Sequence, residues 1–305
     1  MKKMKYVLYD RIFKDETLSR LELKTLFWLA AHQDPGGCVA GVFYKDIIKD
    51  LNCSKSGFYL VRDTLVKKNY IEIDKTDSSD MDLTLIGNSF VKDSGEIKYE
   101  GYVDLEIDMF NDPEFFDLKA GAIKLAMYYT KRVSAAGAVT ATNNPYNSSE
   151  AEKKRKLWYN PIELCKTLKG ILKVNIRSIK EYMKLIERWI GKTTVQNEGK
   201  RYRVVTVLAK SLKKTKKKGY AEQEAYKQKV KMFCRRNNKE YDERNLTDTA
   251  DLIRQYKNIA SKYNLNIITM ICKAIDNTCC SILNSYNVHK TLRNLINYNE
   301  PGLLK

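Results

Sequence analysis

An internal repeat constrains this chain more than any other feature. Two segments match at an offset of 97: Ile12-Phe13-Lys14-Asp15 with Leu18 and Leu21 answers to Met109-Phe110-Asn111-Asp112 with Phe115 and Leu118. Leu26 then falls on Ile123. Each match leads into apolar residues at helical spacing, Leu18, Leu21, Thr25, Leu26 and Leu29 in one copy and Phe115, Leu118, Ala122, Ile123 and Ala126 in the other. Past that helix the offset grows to about 117, so that Ile47 and Leu51 answer to Leu164 and Leu168, and Phe58 and Val61 to Ile176 and Ile179. The growth equals the polar stretch Ser134–Lys156, which reads as a loop inserted into the second copy, with Lys153-Lys154-Arg155-Lys156 at its far end. A repeated pattern builds two similar modules, and 305 residues is long for one core.

Each copy spells helix, short extended piece, helix, turn, helix and hairpin. In the first, Phe43–Leu51 is a helix and Asn52-Cys53-Ser54 a turn and cap. Ser54 opens a helix to about Asn69 with Phe58, Val61, Leu65 and Val66 on its apolar face. Tyr70-Ile71-Glu72-Ile73 and Met81-Asp82-Leu83-Thr84-Leu85 alternate like paired strands around a polar tip, Thr76–Asp80. In the second copy Pro161 suits the first turn of a helix running through Leu164 and Leu168. Asn175 can cap the next helix, with Ile176, Ile179, Met183 and Ile186 inward. The hairpin is Thr193–Val195, then Asn197-Glu198-Gly199-Lys200, then Tyr202–Val207. This order resembles the winged-helix fold in tandem. The resemblance implies an α+β, mostly α chain with winged helices at 1–95 and 96–212, the second carrying the inserted loop 134–156. A basic hinge and a small helical module follow at 213–305.

Charge separates the copies. Residues 1–152 carry a net −4, residues 153–244 a net +19 and residues 245–305 a net +3. One stretch of about ninety residues therefore holds the whole excess of the +18 chain, the footprint of a phosphate-backbone binder. A helix-turn-helix lays its second helix in the major groove while loops and wings hold phosphates. The outward residues of the second copy's third helix are Asn175, Arg177, Ser178, Lys180, Glu181 and Lys184. Arg177 and Ser178 lie in its first turn, where base edges are read, and Arg pairs bidentately with guanine. Lys180 and Lys184 suit phosphates, and the wing offers Lys192, Lys200, Arg201 and Arg203. The first copy has Lys55, Ser56, Tyr59 and Arg62 at comparable places, but its hairpin tip, Asp74–Asp80, is acidic. The second copy is expected to be the main reader, the first a weaker contact or a dimerisation module.

Enzyme classes find no support in the residues. Two histidines, His32 and His289, exclude chemistry that needs a His cluster, including the metal-bound pair of a DNA-nicking initiator. Gly191-Lys192-Thr193 lacks the earlier glycine of a phosphate-binding loop, since position 186 is Ile186. The seven cysteines contain no Cys-x-x-Cys pair and no even framework, which suggests reduced thiols in a cytoplasmic protein without a metal or cofactor. No apolar run approaches the roughly 20 residues of a membrane span.

Tandem winged helices with an acidic or neutral first copy and a basic second resemble the theta-type replication initiators of plasmids and phages, as found in low-GC Gram-positive bacteria. Leu51-Asn52-Cys53-Ser54-Lys55 after Tyr9–Leu29 is similar in style. That resemblance implies binding of repeated double-stranded origin sites as a homodimer or origin-bound oligomer. The carboxy-terminal pattern, Tyr263-Asn264-Leu265-Asn266 and then Asn287–Asn297, is similar to the terminal helices of DnaD-type primosome proteins, implying contact with host replication proteins. A transcriptional regulator or a partition or nucleoid-type DNA binder would share the same reader.

Overall fold

The computed structural model describes residues 2–76, 80–105, 107–143, 156–159, 168–190, 193–198, 201–207, 222–263 and 265–299. Within these the chain is a mostly helical α+β protein with three small antiparallel sheets. It opens with β1 (Lys3–Lys5), α1 (Tyr6–Lys14), α2 (Arg20–His32), β2 (Cys38–Val42), α3 (Tyr44–Leu51), α4 (Lys55–Lys67), β3 (Ile71–Thr76) and β4 (Met81–Leu85). β5 (Tyr102–Asp104), α5 (Asp108–Asn111), a 3-10 turn (Pro113–Asp117), α6 (Ala120–Asn143), β6 (Lys156–Tyr159) and the short helical stretch α7 (168–172) follow. Then come α8 (Ile176–Ile190), β7 (Thr193–Glu198), β8 (Arg201–Val207), α9 (Gln223–Arg236), α10 (Glu243–Lys262), α11 (Ile267–Asp276) and α12 (Ser285–Asn299).

The repeat is visible as topology. The order helix, strand, helix, helix, strand, strand occurs as α2-β2-α3-α4-β3-β4 and again as α6-β6-α7-α8-β7-β8. In both sheets the last strand lies between the other two, β2-β4-β3 and β6-β8-β7. The offset of 97 at the start of each copy is reproduced by matching turns: Asp15 Oδ1 accepts from the Thr17 amide and Asp112 Oδ1 from the Glu114 amide. Leu18 and Phe115 are buried, as are Leu26 and Ile123.

Further on the true register differs from the spacing-based one. Ser54 caps α4 by accepting from the Gly57 amide (3.0 Å), and Asn175 caps α8 by accepting from the Ser178 amide (2.8 Å), an offset of 121. Phe58 therefore corresponds to Ile179 and Leu65 to Ile186, all four buried. Ile176, expected inward opposite Phe58, is 44% exposed, and Val66, expected on the apolar face of α4, is 37% exposed. α6 also continues through Asn143, so residues 134–143 are helical where the inserted loop was expected to have begun, and Lys156 already belongs to β6. The Pro161 turn, Leu164, the loop core 144–155 and the hinge around Leu212–Gly219 lie outside the described residues.

Contacts divide the chain into two groups, residues 29–98 with 218–305, and residues 2–28 with 99–217. In the first group Val39, Val42, Leu83, Leu85 and Ile71 of the sheet and Ile47, Leu51, Phe58, Val61 and Leu65 of the helices are buried. β4 alternates strictly, which buries Met81, Leu83 and Leu85 on one face. A second apolar cluster joins Val230, Phe233, Leu246, Ile253, Ile271, Ile275, Val288, Leu292 and Ile296 of α9–α12, with Ala40 packed against it.

α9 docks on β2, and its polar and apolar contacts converge on Gly41. The pairing of β2 with β4 shifts between Val39 and Val42, and Gly41 sits there with φ +60. Its amide donates to Asp82 Oδ1 (2.6 Å), and its carbonyl accepts from Gln228 Nε2 (3.1 Å) and from Arg235. Met232 lies so close that a Cβ on residue 41 would fall 2.5 Å from its Cγ. Gln228, Met232 and Arg235 are spaced i, i+4, i+7, so one stripe of α9 converges on this position.

In the second group β1 and β5 pair antiparallel, Met4 opposite Val103. Tyr9 is buried and donates to the Met127 carbonyl (2.9 Å), while Phe27 stacks on Phe110 at 4.9 Å. Burial of the Tyr9 ring pushes its phenol well above its ordinary range, so this donor stays protonated. α8 packs on α6, where Gly121 leaves room for the Tyr182 ring, 2.4 Å from where a Cβ would stand. Trp189 donates through Nε1 to Asp112 Oδ2 (2.8 Å), which ties the end of α8 to the 3-10 turn.

Candidate nucleic-acid interface

The site is built on α8. Ile179, Ile186, Trp189 and Ile190 are buried, and this fixes the rotation of the helix about its axis. The opposite stripe carries Arg177, Lys180 and Lys184, spaced i, i+3 and i+7, and all three are exposed. None of the three makes an ion pair with another described residue. Other cations of this segment are engaged: Lys173 with Glu16 (2.9 Å), and Arg188 with Glu114 and Asp112.

Asn175 uses its side-chain oxygen as the cap on the Ser178 amide, so its part in the site is to start the helix. Ser178 is half-buried in the first turn beside Arg177. Glu181, next to the stripe, bonds Lys119 at 2.7 Å. The hydrogen bond and charge of Lys119 hold the Glu181 carboxyl below its ordinary value and raise the ammonium in return, with Arg177 adding to the effect on Glu181. The carboxylate is thus partly neutralised from the α6 side, leaving the stripe cationic. Lys119 escaped sequence reading because its partner is 62 residues away.

Of the hairpin residues, Arg201 and Arg203 lie on β8, paired with Glu198 and Gln196 of β7. Their side chains, and Lys192 and Lys200 altogether, lie outside the described residues.

The corresponding helix of the first copy is chemically different. With the register set by the two caps, Arg177, Lys180 and Lys184 answer to Ser56, Tyr59 and Asp63. Lys55 is exposed, with its ammonium 4.6 Å from the centre of the Tyr44 ring. Arg62 is half-buried, donates to Asp63 through Nε (2.8 Å) and Nη2 (2.6 Å), and lies 4.7 Å from the centre of the Tyr59 ring. Ser56 is exposed beside the cap, its hydroxyl 3.2 Å from that of Ser54.

Part of the basic stretch faces inward. Arg235 pairs with Asp46 (2.7 Å), Arg236 with the buried Asp80 (3.0 Å), Lys229 with Asp34 (3.5 Å) and Lys227 with Glu243 (2.6 Å). Lys229, Arg235 and Arg236 of α9 thus meet carboxylates of residues 34–80. The opposite signs of the two stretches were legible in sequence; their pairing was not.

No group of three His, Cys, Asp or Glu among the described residues could hold a metal ion. No helix among them is long and apolar enough to cross a membrane. Compared with models of protein families, with curated proteins and with solved structures, the chain gives no match.

Proposed function

We propose that this chain is a sequence-specific double-stranded DNA-binding protein built on two winged helices, and that it initiates replication of a plasmid or phage at repeated origin sites. The observation that carries the reading is the α8 stripe: three exposed cations on a capped helix that follows a short turn and precedes a two-stranded hairpin. In a winged helix that position is the recognition helix. Arg177, in the first turn, is assigned to a base edge, Lys180 and Lys184 to phosphates, and the β7–β8 hairpin to the flanking backbone. Doubling of the module favours repeated target sites over one operator. The first copy, with Asp63 where the second has Lys184, makes the weaker DNA contact or holds a second protomer.

The test is footprinting across the DNA that flanks the gene, with the wild-type chain and charge-reversed variants. Protection of direct repeats, lost in Arg177→Glu/Lys180→Glu/Arg201→Glu and only weakened in Lys55→Glu/Arg62→Glu, supports the reading. A single protected palindrome with no effect on plasmid copy number assigns the protein to transcriptional regulation instead. Affinity that ignores sequence but falls steeply with salt assigns it to structural DNA binding. Equal losses in the two variants overturn the asymmetry between the copies.

A further inference from the structure

We infer that the outer face of α12 is a second nucleic-acid contact, one that takes the phosphate backbone independently of α8. The inference rests on the reading of the chain as a DNA-binding protein and extends it to the carboxy-terminal helices.

The rotation of α12 is fixed twice. Val288, Leu292 and Ile296 are buried in the helical cluster, and the Tyr256 hydroxyl lies 2.6 Å from His289 Nε2. Its start is held by Asn284, which accepts from the Asn287 amide, and by Asn245, which accepts from the Ser285 amide. What remains exposed is Tyr286, Lys290 and Arg293 at i, i+4 and i+7, flanked by Asn294 and Tyr298, with Asn297 half-buried at i+11. The two tyrosines are 74% and 87% exposed.

The chemistry of this face selects its partner. Arg, Lys, Asn and Tyr are the side chains that donate to phosphate oxygens in protein–DNA complexes. Ser285–Asn299 contains no carboxylate, so nothing within the helix repels a polyanion. The stripe also presents no aliphatic side chain, whereas the buried centre of a protein–protein interface is built on apolar anchors. Complementarity of charge therefore favours nucleic acid over a host protein on this face.

The test measures the salt dependence of binding by the full chain to a duplex carrying the footprinted site. Each phosphate contact contributes about 0.9 to the slope of log K against log salt, so Lys290→Ala/Arg293→Ala is expected to flatten the slope by about 1.8. Tyr286→Ala lowers affinity without changing the slope, and preference for the specific site over random duplex stays the same in all variants. Lys290→Arg/Arg293→Lys keeps the charges and restores the wild-type slope. An unchanged slope in Lys290→Ala/Arg293→Ala gives the face to a protein partner or to solvent and overturns the inference. If charge reversal on α8 leaves binding intact while Lys290→Ala/Arg293→Ala removes it, the α8 reading fails and this one stands. A wild-type chain that binds no duplex overturns both.

Discussion

Replacing Gly41 by alanine tests the docking of α9 on β2. At φ +60 an L side chain costs about 1–2 kcal/mol relative to glycine. The new Cβ would stand 2.5 Å from Met232 Cγ and 2.6 Å from its Cβ, so turning the side chain cannot relieve the clash and the helix must draw back, exposing part of a residue that is now buried, a further cost of about 1 kcal/mol. The sum, about 2–3 kcal/mol, corresponds to a roughly 30- to 150-fold rise in the equilibrium for α9 leaving the strand. Native-state hydrogen exchange of the α9 amides, read by mass spectrometry, reports that opening directly. Met232→Gly, which also removes the Cβ that would stand 2.6 Å from the new methyl group, separates the two costs. In that background the steric part vanishes, and Gly41→Ala should lose only the backbone part, giving a coupling of about 1 kcal/mol between the sites. A loss of protection under threefold, or the same loss with and without Met232, would refute the account of Gly41 as the seat of the helix.

Three further outcomes are expected. Asn175→Ala removes the cap of α8 and should lower stability by about 1 kcal/mol in urea unfolding, while Asn175→Asp, which keeps an acceptor, should not. Burial raises the Glu222 carboxyl, but hydrogen bonds from Tyr226 and Lys257 outweigh it and hold the group below its ordinary value. Its contribution is therefore present above the ordinary carboxyl value of 4.5 and is lost as pH falls below it. With Lys257 half in solvent the size is about 0.5–1 kcal/mol, and Glu222→Gln should flatten the acid limb of the stability profile by that amount. Burial pushes the Cys234 and Cys38 thiols up to about 11, so iodoacetamide near pH 8 should label the exposed Cys279 and Cys280 first. Early labelling of Cys234 in the folded chain would contradict that order.

Local order was legible in the sequence wherever one short segment carried its own signal. The alternation of Met81–Leu85 gave β4 residue for residue, and the serine before Lys55 marked the start of α4. The register between the copies was missed by about one helical turn. Sliding a helix by three residues rotates it by about 300°, only 60° from where it began, so apolar spacing hardly separates the two alignments. The caps separate them, because a single side chain meets a single amide. The pairing of Lys3–Lys5 with Tyr102–Asp104 had no signal at all, since three residues show no alternation worth counting. Charge located the α8 stripe but also pointed to α9, where Lys229, Arg235 and Arg236 pair with Asp34, Asp46 and Asp80. Net charge says how many phosphates a stretch could neutralise and is silent on carboxylates that arrive from elsewhere in the same chain.

The interleaving of the two groups has a practical result for anyone cutting the gene. A fragment that begins near residue 96 would lack β1 and α1, and with them the tyrosine whose hydroxyl reaches the Met127 carbonyl. A fragment that stops near residue 212 would leave β2 without the helix that covers Gly41. On the ribosome the segment 29–98 must wait for the final ninety or so residues before its strand is covered. Expression trials that treat the copies as separable beads should yield insoluble pieces, and those that keep both ends should not.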